Sequence, residues 1–407
     1  MTFGATPQKM LKTLYQKLLR IHLSESQALT LELLVLMLQS YRQVRLSRLA
    51  NIFPQPIQYN SRLRSLQRFL KLPQLSAKLL WFPIIKAALK SEFREQRFNR
   101  AQRRNPLRLR FKTKNYVAVA LDRTQWRDRN LIMVTIIWGN HALPIYWELL
   151  SKLGSSSFAE QKRVLVPVLG LLKPYPVVVI GDREFHSAKL ADWLRTKGAD
   201  VVFRQKKSAF VATSCQPGQP LKQQGFQSGE SHFFTDVTIQ KSAPIQGLNL
   251  GVYWKRRYRG KGVKEPWYLL TTLSNSKLVK ELYQARWGIE MMFRDCKSGG
   301  YNLESTRVDA TRFLALVLLI TFAYWLATIA GNEFQSNHLV AYLGRSEKTP
   351  NNFPHHSIFW LGLSGYAWSQ SLVFWRDQML ALMTLKPHKT QNFRQGLNAL
   401  SLVQQSV

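Results

Sequence analysis

The chain has 407 residues, of which 58 are Lys or Arg and 23 are Asp or Glu, so its formal net charge is +35. An apolar fraction of 45% with 12 Trp excludes a disordered chain, and only two cysteines exclude a disulfide framework or a thiolate metal site. Basic residues occur along the whole sequence, which favours a polyanionic partner: DNA, RNA or an anionic membrane surface.

Residues 1–112 are predicted to form a helical DNA-binding domain, since Lys and Arg far outnumber Asp and Glu there. Helices are predicted over 27–41, 44–53 and 60–71. The basic run 93–114 is interpreted as a connector that lies along a nucleic-acid backbone. The first 19 residues lack the apolar core of a signal peptide, so we expect a cytoplasmic protein.

The third of these helices has an apolar and a basic face, and Asn60 or Ser61 is its predicted N-cap. Its arrangement after two other helices is similar to a helix-turn-helix with a basic third helix. Its outward-facing basic residues, the predicted DNA contacts, are Arg62, Arg64, Arg68 and Lys71.

Strand and helix patterns alternate over residues 113–330, which predicts a mixed α/β sheet with helices on both faces. A polar segment at 206–265 is predicted to be a β-rich insertion forming a small subdomain. Strands are predicted at 115–122, 131–139, 142–150, 176–182, 200–205 and 267–273, and helices at 157–172 and 187–198. In the insertion, strands are predicted at 232–239 and 248–258.

The run FLALVLLITFAYWLATIA, residues 313–330, is nearly apolar and reaches the lower limit of length for a membrane span. One short span inside a basic soluble chain is less favoured than a fully buried helix. We therefore predict no membrane association and a helical C-terminal region at 331–407.

The stretch LYQARWGIEMMFRDCKSGG, residues 282–300, is predicted to be one helix with two distinct faces. Its polar face carries Tyr283, Arg286, Glu290, Arg294 and Lys297. The opposite face carries Leu282, Ala285, Ile289, Met292, Phe293 and Cys296. The ordinary interpretation is a solvated face on which Glu290 pairs with arginines four residues away.

Two aspartates end predicted strands, Asp122 after YVAVAL and Asp182 after VVVIG. Each alone is an ordinary turn former, but the ends of strands in α/β sheets are also where ligands bind. With Glu290 as a third carboxylate, the set suits two Mg²⁺ or Mn²⁺ ions in a site for phosphoryl transfer.

The strand order and acid positions resemble the ribonuclease H-like fold. The spacing Y-x2-R-x3-E-x6-K at Tyr283, Arg286, Glu290 and Lys297 resembles the signature of a group of bacterial insertion-sequence DDE transposases. GDREFHSAKL around Asp182 and EPWYLLTTL before the helix are also similar to that group, whose members carry a β-rich insertion.

The resemblance implies that Asp122, Asp182 and Glu290 bind the metal ions and are catalytic. It implies that Tyr283, Arg286 and Lys297 contact phosphates of the transposon end. It further implies that Trp267 stacks on a flipped base during cleavage through a DNA hairpin. The partners would be double-stranded transposon ends and target DNA on the bacterial nucleoid, bound by a homodimer in the synaptic complex.

Two alternatives stay open beside a cut-and-paste transposase. One is a metal-dependent nuclease of the same fold without strand transfer, and the other is a non-catalytic DNA-binding repressor. A repressor derived from such an enzyme would typically lack an acid, whereas all three acids are present. Glu184 is interpreted as a structural acid at a helix start, and Asp295 as a salt-bridge partner.

Overall fold

A computed structural model of the chain describes residues 16–97, 116–139, 141–213, 216–239, 244–256, 265–349 and 354–406. Cys215 and the predicted connector beyond residue 97 lie outside these ranges. The residues group into a sheet unit, Leu109–Phe293, and a helix unit, Met1–Arg108 with Arg294–Val407. The division into domains 1–112, 113–330 and 331–407 stays a prediction, although one continuous helix spans residue 330.

The N-terminal part of the helix unit contains the predicted helices with slightly shifted ends. They are α1 (Glu25–Tyr41), α2 (Leu46–Ile52) and α3 (Tyr59–Phe69). A π-helical turn at Ala77–Trp81 and a further helix, α4 (Phe82–Arg97), follow them and were not predicted. The predicted N-cap of α3 is wrong, because the chain enters the helix directly from extended Gln58, whose side chain makes no capping hydrogen bond. Ser24, by contrast, forms a capping box with Gln27 at the start of α1.

The sheet unit is built on one ten-stranded mixed sheet in the order β3-β2-β1-β4-β5-β10-β9-β8-β6-β7. This confirms the predicted mixed α/β architecture, while the ribonuclease H-like assignment stays a prediction. The first part of the unit comprises β1 (Val117–Trp126), β2 (Arg129–Trp138), β3 (His141–Leu149), α5 (Phe158–Leu172), β4 (Val177–Gly181), α6 (Ala188–Thr196) and β5 (Asp200–Arg204). Strands β1, β4 and β5 are parallel neighbours, whereas β1, β2 and β3 form an antiparallel meander.

The predicted β-rich insertion is not a separate sheet. Its strands are β6 (Phe210–Thr213), β7 (Gln216–Pro220), β8 (Ser231–Ile239) and β9 (Ile245–Tyr253), followed by β10 (Trp267–Thr271). Strand β10 pairs with β5 on one side and with β9 on the other. The insertion therefore extends the main sheet, because the free edge of β10 supplies backbone donors and acceptors that β9 satisfies.

Two helices follow β10, α7 (Ser276–Ala285) and α8 (Trp287–Cys296). The single helix predicted for residues 282–300 is therefore wrong, since Arg286 lies between the two and is the C-cap residue of α7. The predicted apolar face is largely correct. Five of its members are buried: Leu282, Ala285, Ile289, Met292 and Cys296.

The C-terminal part of the helix unit is helical, as predicted. Its helices are α9 (Ala310–Ser336), α10 (Val340–Leu343), α11 (Ile358–Phe374), α12 (Arg376–Thr384) and α13 (Thr390–Ser406). Helix α9 is long and apolar enough to cross a membrane, but 89% of its most apolar window is buried within the protein. This burial agrees with the prediction of a core helix.

Glycines let α9 and α11 cross with their backbones in contact. A Cβ atom at Gly331 would come within 1.7 Å of the Ile358 carbonyl oxygen, and one at Gly362 within 1.9 Å of the Ala327 carbonyl oxygen. Helix α1 lies on the same core, where the buried amide of Gln39 donates to the Ala323 carbonyl and accepts from the Tyr301 hydroxyl. The core of the helix unit thus depends on close packing, with few polar groups inside it.

Candidate active site at the ends of two parallel strands

The register of β1 and β4 brings two of the predicted acids together. Leu121 on β1 pairs with Gly181 on β4 in a parallel ladder. The residues that follow this pair, Asp122 and Asp182, are therefore neighbours, and their backbones lie about 5 Å apart. Parallel strands need a long connection, and here it contains β2, β3 and α5, which accounts for the separation of the two aspartates in sequence.

Asp182 ends its strand in a tight turn. Its Oδ1 atom accepts a hydrogen bond of 2.8 Å from the Glu184 backbone N–H and caps the short 3₁₀ turn Arg183–Phe185. A Cβ atom at Gly181 would lie 2.7 Å from the Cβ of Phe185, so the glycine allows the buried phenylalanine to fold back under the strand. The turn fixes the direction of the carboxylate.

Arg286, at the junction of α7 and α8, joins the third acid to the first. Its Nη1 atom donates to Asp122 Oδ2 at 2.9 Å, and its Nη2 atom donates to Glu290 Oε1. Only 12% of the arginine side chain and 14% of the Asp122 side chain are exposed, whereas Glu290 is 36% exposed. The break between the helices thus places a guanidinium between two of the three predicted catalytic acids.

Burial and neighbouring charges shift the pKa of the Asp122 carboxyl. Burial raises the pKa of Asp122 to about 7, Arg286 opposes this shift, and the Asp182 and Glu290 carboxylates add to it. The strand register places Asp182 beside Asp122, and the Arg286 guanidinium links Asp122 to Glu290. The structure therefore brings all three predicted acids into one region of the sheet unit.

The donor chemistry suits a hard divalent cation, because carboxylate oxygens are preferred by Mg²⁺ and Mn²⁺. Over the ranges that the structure describes, however, no three His, Cys, Asp or Glu side chains converge as a formed metal site. The Arg286 guanidinium bonds to both Asp122 and Glu290. The acids are suitable as ligands, and a bound metal would take the place of the guanidinium on at least one of them.

The aromatic residues predicted to contact DNA pack against each other. The rings of Trp267 and Tyr283 meet edge to face with centroids 4.9 Å apart, and the Arg286 guanidinium lies 5.7 Å from the Tyr283 ring. Trp267 is half-buried, which leaves part of its ring accessible, but Tyr283 is only 4% exposed. Tyr283, predicted on the polar face of its helix, is therefore buried, because its ring fills the space beside Trp267. Its contact with DNA stays a prediction.

The other predicted DNA contacts belong to the helix unit. Lys297 Nζ lies 3.5 Å from Glu304 Oε1. On α3, Arg64 and Arg68 are exposed as predicted, and so is Lys71 just beyond it. Arg62 is half-buried and donates to the Gln55 carbonyl at 3.5 Å, so it is less exposed than the other three, and its contact with DNA stays a prediction.

Two further acids, Glu184 and Asp295, were not predicted to be catalytic, and both side chains are largely buried. Glu184, interpreted as a helix-start acid, forms a half-buried ion pair with Arg123. Asp295, interpreted as a salt-bridge partner, is only 4% exposed and lies 4.0 Å from Arg294 Nε. Its Oδ2 atom is buried without a hydrogen-bond partner, and burial raises its pKa to about 7. The one available signal for Arg123 and Glu184 was their closeness in sequence to the two aspartates: Arg123 directly follows Asp122, and Glu184 lies two residues after Asp182.

Comparison with known proteins gives one family match. Residues 153–326 match the family model described as "Transposase DDE domain". The matched range contains Asp182 and Glu290, whereas Asp122 lies before it. No curated protein matches the chain.

Among solved structures, one similar chain is that of a piggyBac transposase synaptic complex with hairpin DNA, studied by electron cryo-microscopy. It is 16% identical to this chain, with a TM-score of 0.35, and the match covers 65% of this chain. The matched part spans 54% of the length of that protein, or about half.

Proposed function

We propose that the chain is a DDE-type DNA transposase that binds transposon ends, cleaves them by metal-dependent phosphoryl transfer and joins them to target DNA. The family match over residues 153–326 supports this proposal at the level of a transposase domain. The observation that carries it is the β1–β4 register, which sets Asp122 beside Asp182, with Glu290 tied to Asp122 through Arg286.

In this proposal Asp122, Asp182 and Glu290 hold two Mg²⁺ or Mn²⁺ ions, which supply the charge that activates the attacking oxygen and stabilises the leaving oxygen. The residues of the chain orient the DNA around these acids. Arg286 is proposed to move from the carboxylates to the backbone of the transposon end, where its guanidinium can bond to a phosphate. Tyr283 and Lys297 are proposed to reach further phosphates, which requires their contacts with Trp267 and Glu304 to open.

We propose cleavage through a DNA hairpin, with Trp267 as the platform for a base turned out of the duplex. The half-buried ring at the start of β10 supports this role, since it lies next to Tyr283 and one contact away from Arg286. The ribonuclease H-like fold is proposed on the strand order β3-β2-β1-β4-β5. A homodimer is proposed for the synaptic complex, acting on the nucleoid in the bacterial cytoplasm.

The test uses DNA carrying the inverted repeats that flank the gene, with full-length protein and Mg²⁺. Asp122→Asn, Asp182→Asn and Glu290→Gln should each lower strand cleavage by about 10³-fold or more, because a metal-binding charge is lost. Binding of the DNA end should change by less than about 3-fold, since most of the basic surface is intact. Glu281→Gln, an exposed acid on α7, is the matched control and should cleave normally.

Cleavage at the wild-type rate by any of the three variants would refute the assignment of that acid. Cleavage by the wild-type protein without joining to a target duplex would favour the nuclease alternative. Specific binding without any cleavage would favour a repressor.

A further inference from the structure

The two residues that follow the paired aspartates are themselves a pair. Arg123 is adjacent to Asp122 in sequence, and Glu184 lies two residues after Asp182. The Arg123 Nε atom lies 2.8 Å from Glu184 Oε2 and 3.0 Å from Oε1. Their side chains are only 18% and 15% exposed, so this is not a solvated surface ion pair.

Each member of the pair also holds its neighbouring aspartate through the backbone. The Arg123 N–H donates to Asp122 Oδ1 at 2.7 Å, and the Glu184 N–H donates to Asp182 Oδ1 at 2.8 Å. A backbone N–H bonded to a carboxylate fixes the carboxylate relative to that backbone. The side-chain pair then fixes the two backbones relative to each other, across the end of the β1–β4 ladder.

The pair is held in place on both sides. Arg123 Nη1 donates to Asn130 Oδ1 at 2.8 Å and to Gln125 Oε1 at 3.1 Å. Glu184 Oε1 accepts from the backbone N–H of Ser156 at 2.9 Å and from its hydroxyl at 2.8 Å. A charged pair with this many hydrogen bonds has little freedom to rotate, which is what a rigid support for a neighbouring site requires.

We propose that Arg123 and Glu184 form a positioning clamp that sets the spacing of the Asp122 and Asp182 carboxylates for divalent metal binding. The inference rests on the proposed function, because it takes these two acids to be metal ligands. Neither Arg123 nor Glu184 touches the metal or the DNA; both act through the aspartates. The competing explanation is that Glu184 only fastens the loop containing Ser156 to the sheet.

The experiment measures Mn²⁺ binding to full-length protein by electron paramagnetic resonance and calorimetry, without DNA, together with thermal melting. Glu184→Gln removes the charge of the clamp and keeps its shape. It should weaken Mn²⁺ binding by about 10- to 100-fold, the range found when supporting partners of metal ligands are replaced. Arg123→Lys keeps the charge but not the fork of donors, and it should weaken binding by a smaller factor.

Two control variants separate the clamp from the loop. Ser156→Ala removes one of the two hydrogen bonds from Ser156 to Glu184 and leaves the ion pair, so it should weaken Mn²⁺ binding much less than Glu184→Gln does. Glu148→Gln disrupts another ion pair of the same unit, with Arg163, and should leave Mn²⁺ affinity unchanged. If Glu184→Gln fails to fold, Arg123→Lys carries the same test with the charge retained.

Equal Mn²⁺ affinity in wild type, Glu184→Gln and Arg123→Lys would overturn the clamp. So would equal loss of affinity in Ser156→Ala and Glu184→Gln, which would identify a loop fastener. If the wild-type protein binds Mn²⁺ through Asp122 and Glu184→Gln weakens that binding, the clamp stands even where no DNA is cleaved. Such Mn²⁺ binding without any DNA cleavage would refute the proposed transposase function but not the clamp.

Discussion

The two units of the protein differ in how much of their interior is polar and in how those polar groups are bonded. In the sheet unit, half-buried charges at the strand ends are joined in networks, such as Arg286 with Asp122 and Glu290. In the helix unit, the core is apolar and depends on backbone contact between α9 and α11 at Gly331 and Gly362. The one buried acid there, among the residues described, is Asp295, and it has little compensation.

Because of this difference, the two units should respond differently to substitutions. Charges in the sheet unit are held by several hydrogen bonds each, so a single substitution should alter the site more than the fold. Among the described residues of the helix unit, the core is mainly apolar and has few buried polar contacts, such as that of Gln39 with Tyr301. A small change of volume there should therefore alter the fold more than any chemistry. Four substitutions test this contrast, beginning with the largest expected effect.

Gly331→Ala should destabilise the helix unit strongly. The added Cβ would overlap the Ile358 carbonyl and force α9 and α11 apart. We expect a loss of more than about 3 kcal/mol, seen as a fall in melting temperature of roughly 10 °C. The control is Gly396→Ala on α13, where a Cβ meets nothing within 4 Å and should add about 0.5–1 kcal/mol of stability. Similar melting temperatures for both variants would contradict the close crossing.

Trp267→Ala should separate two catalytic steps in the sheet unit. First-strand nicking should stay near normal, while hairpin formation slows by about 10- to 100-fold, because stacking on a flipped base returns about 1–3 kcal/mol. Trp267→Phe should be intermediate. The steps are timed separately on labelled transposon ends, beside a melting curve.

Trp193→Ala is the matched control for that prediction, since Trp193 is also a half-buried tryptophan of the sheet unit. It should slow neither step selectively. A uniform loss of both steps in Trp267→Ala with a lowered melting temperature would instead assign Trp267 to the core.

Replacing Arg64, Arg68 and Lys71 together by Ala should weaken DNA binding by the helix unit in a salt-dependent way. Each phosphate contact adds about 0.9 to the slope of log affinity against log salt, so the slope should fall by about 2 to 3. The control removes the same charge from exposed positions at Lys386, Lys389 and Arg394. An equal fall of slope in both triple variants would show that α3 has no special contact with DNA.

Asp295→Asn should alter how the stability of the protein changes with pH. Since burial raises the pKa of this acid to about 7, the folded protein binds its proton more tightly than the unfolded chain. The contribution to stability is therefore complete below about pH 4 and is lost as the pH rises to about 7, by at most about 4 kcal/mol. Wild type should lose more melting temperature between pH 5 and pH 8 than Asp295→Asn. The exposed Asp377→Asn should behave as wild type, and equal pH dependence in all three proteins would contradict the buried charge.

Local patterns determined the elements of this protein. Alternation and apolar runs predicted eight of the ten strands of the sheet unit, with ends shifted by up to about five residues, but they missed β6 and β7. A capping box formed by Ser157 and Glu160 is present at the start of α5. The core helix followed from its uninterrupted apolar run. These features depend on the preferences of neighbouring residues, so they can be predicted from the chain alone. The same reasoning singled out Asp122, Asp182 and Glu290, because acids at strand ends are rare on so basic a chain.

Tertiary structure decided how those acids are arranged. Periodicity gives the face on which a side chain lies but not the register of strands distant in sequence, which placed Asp122 beside Asp182. Nothing local indicated the break at Arg286 or the burial of Tyr283. The closeness of Arg123 and Glu184 to the two aspartates in sequence did not indicate that their side chains pair with each other. Each of these features depends on residues that are distant in sequence and meet only when the chain folds. An ion pair or a packed ring is stabilised where its neighbours exclude water.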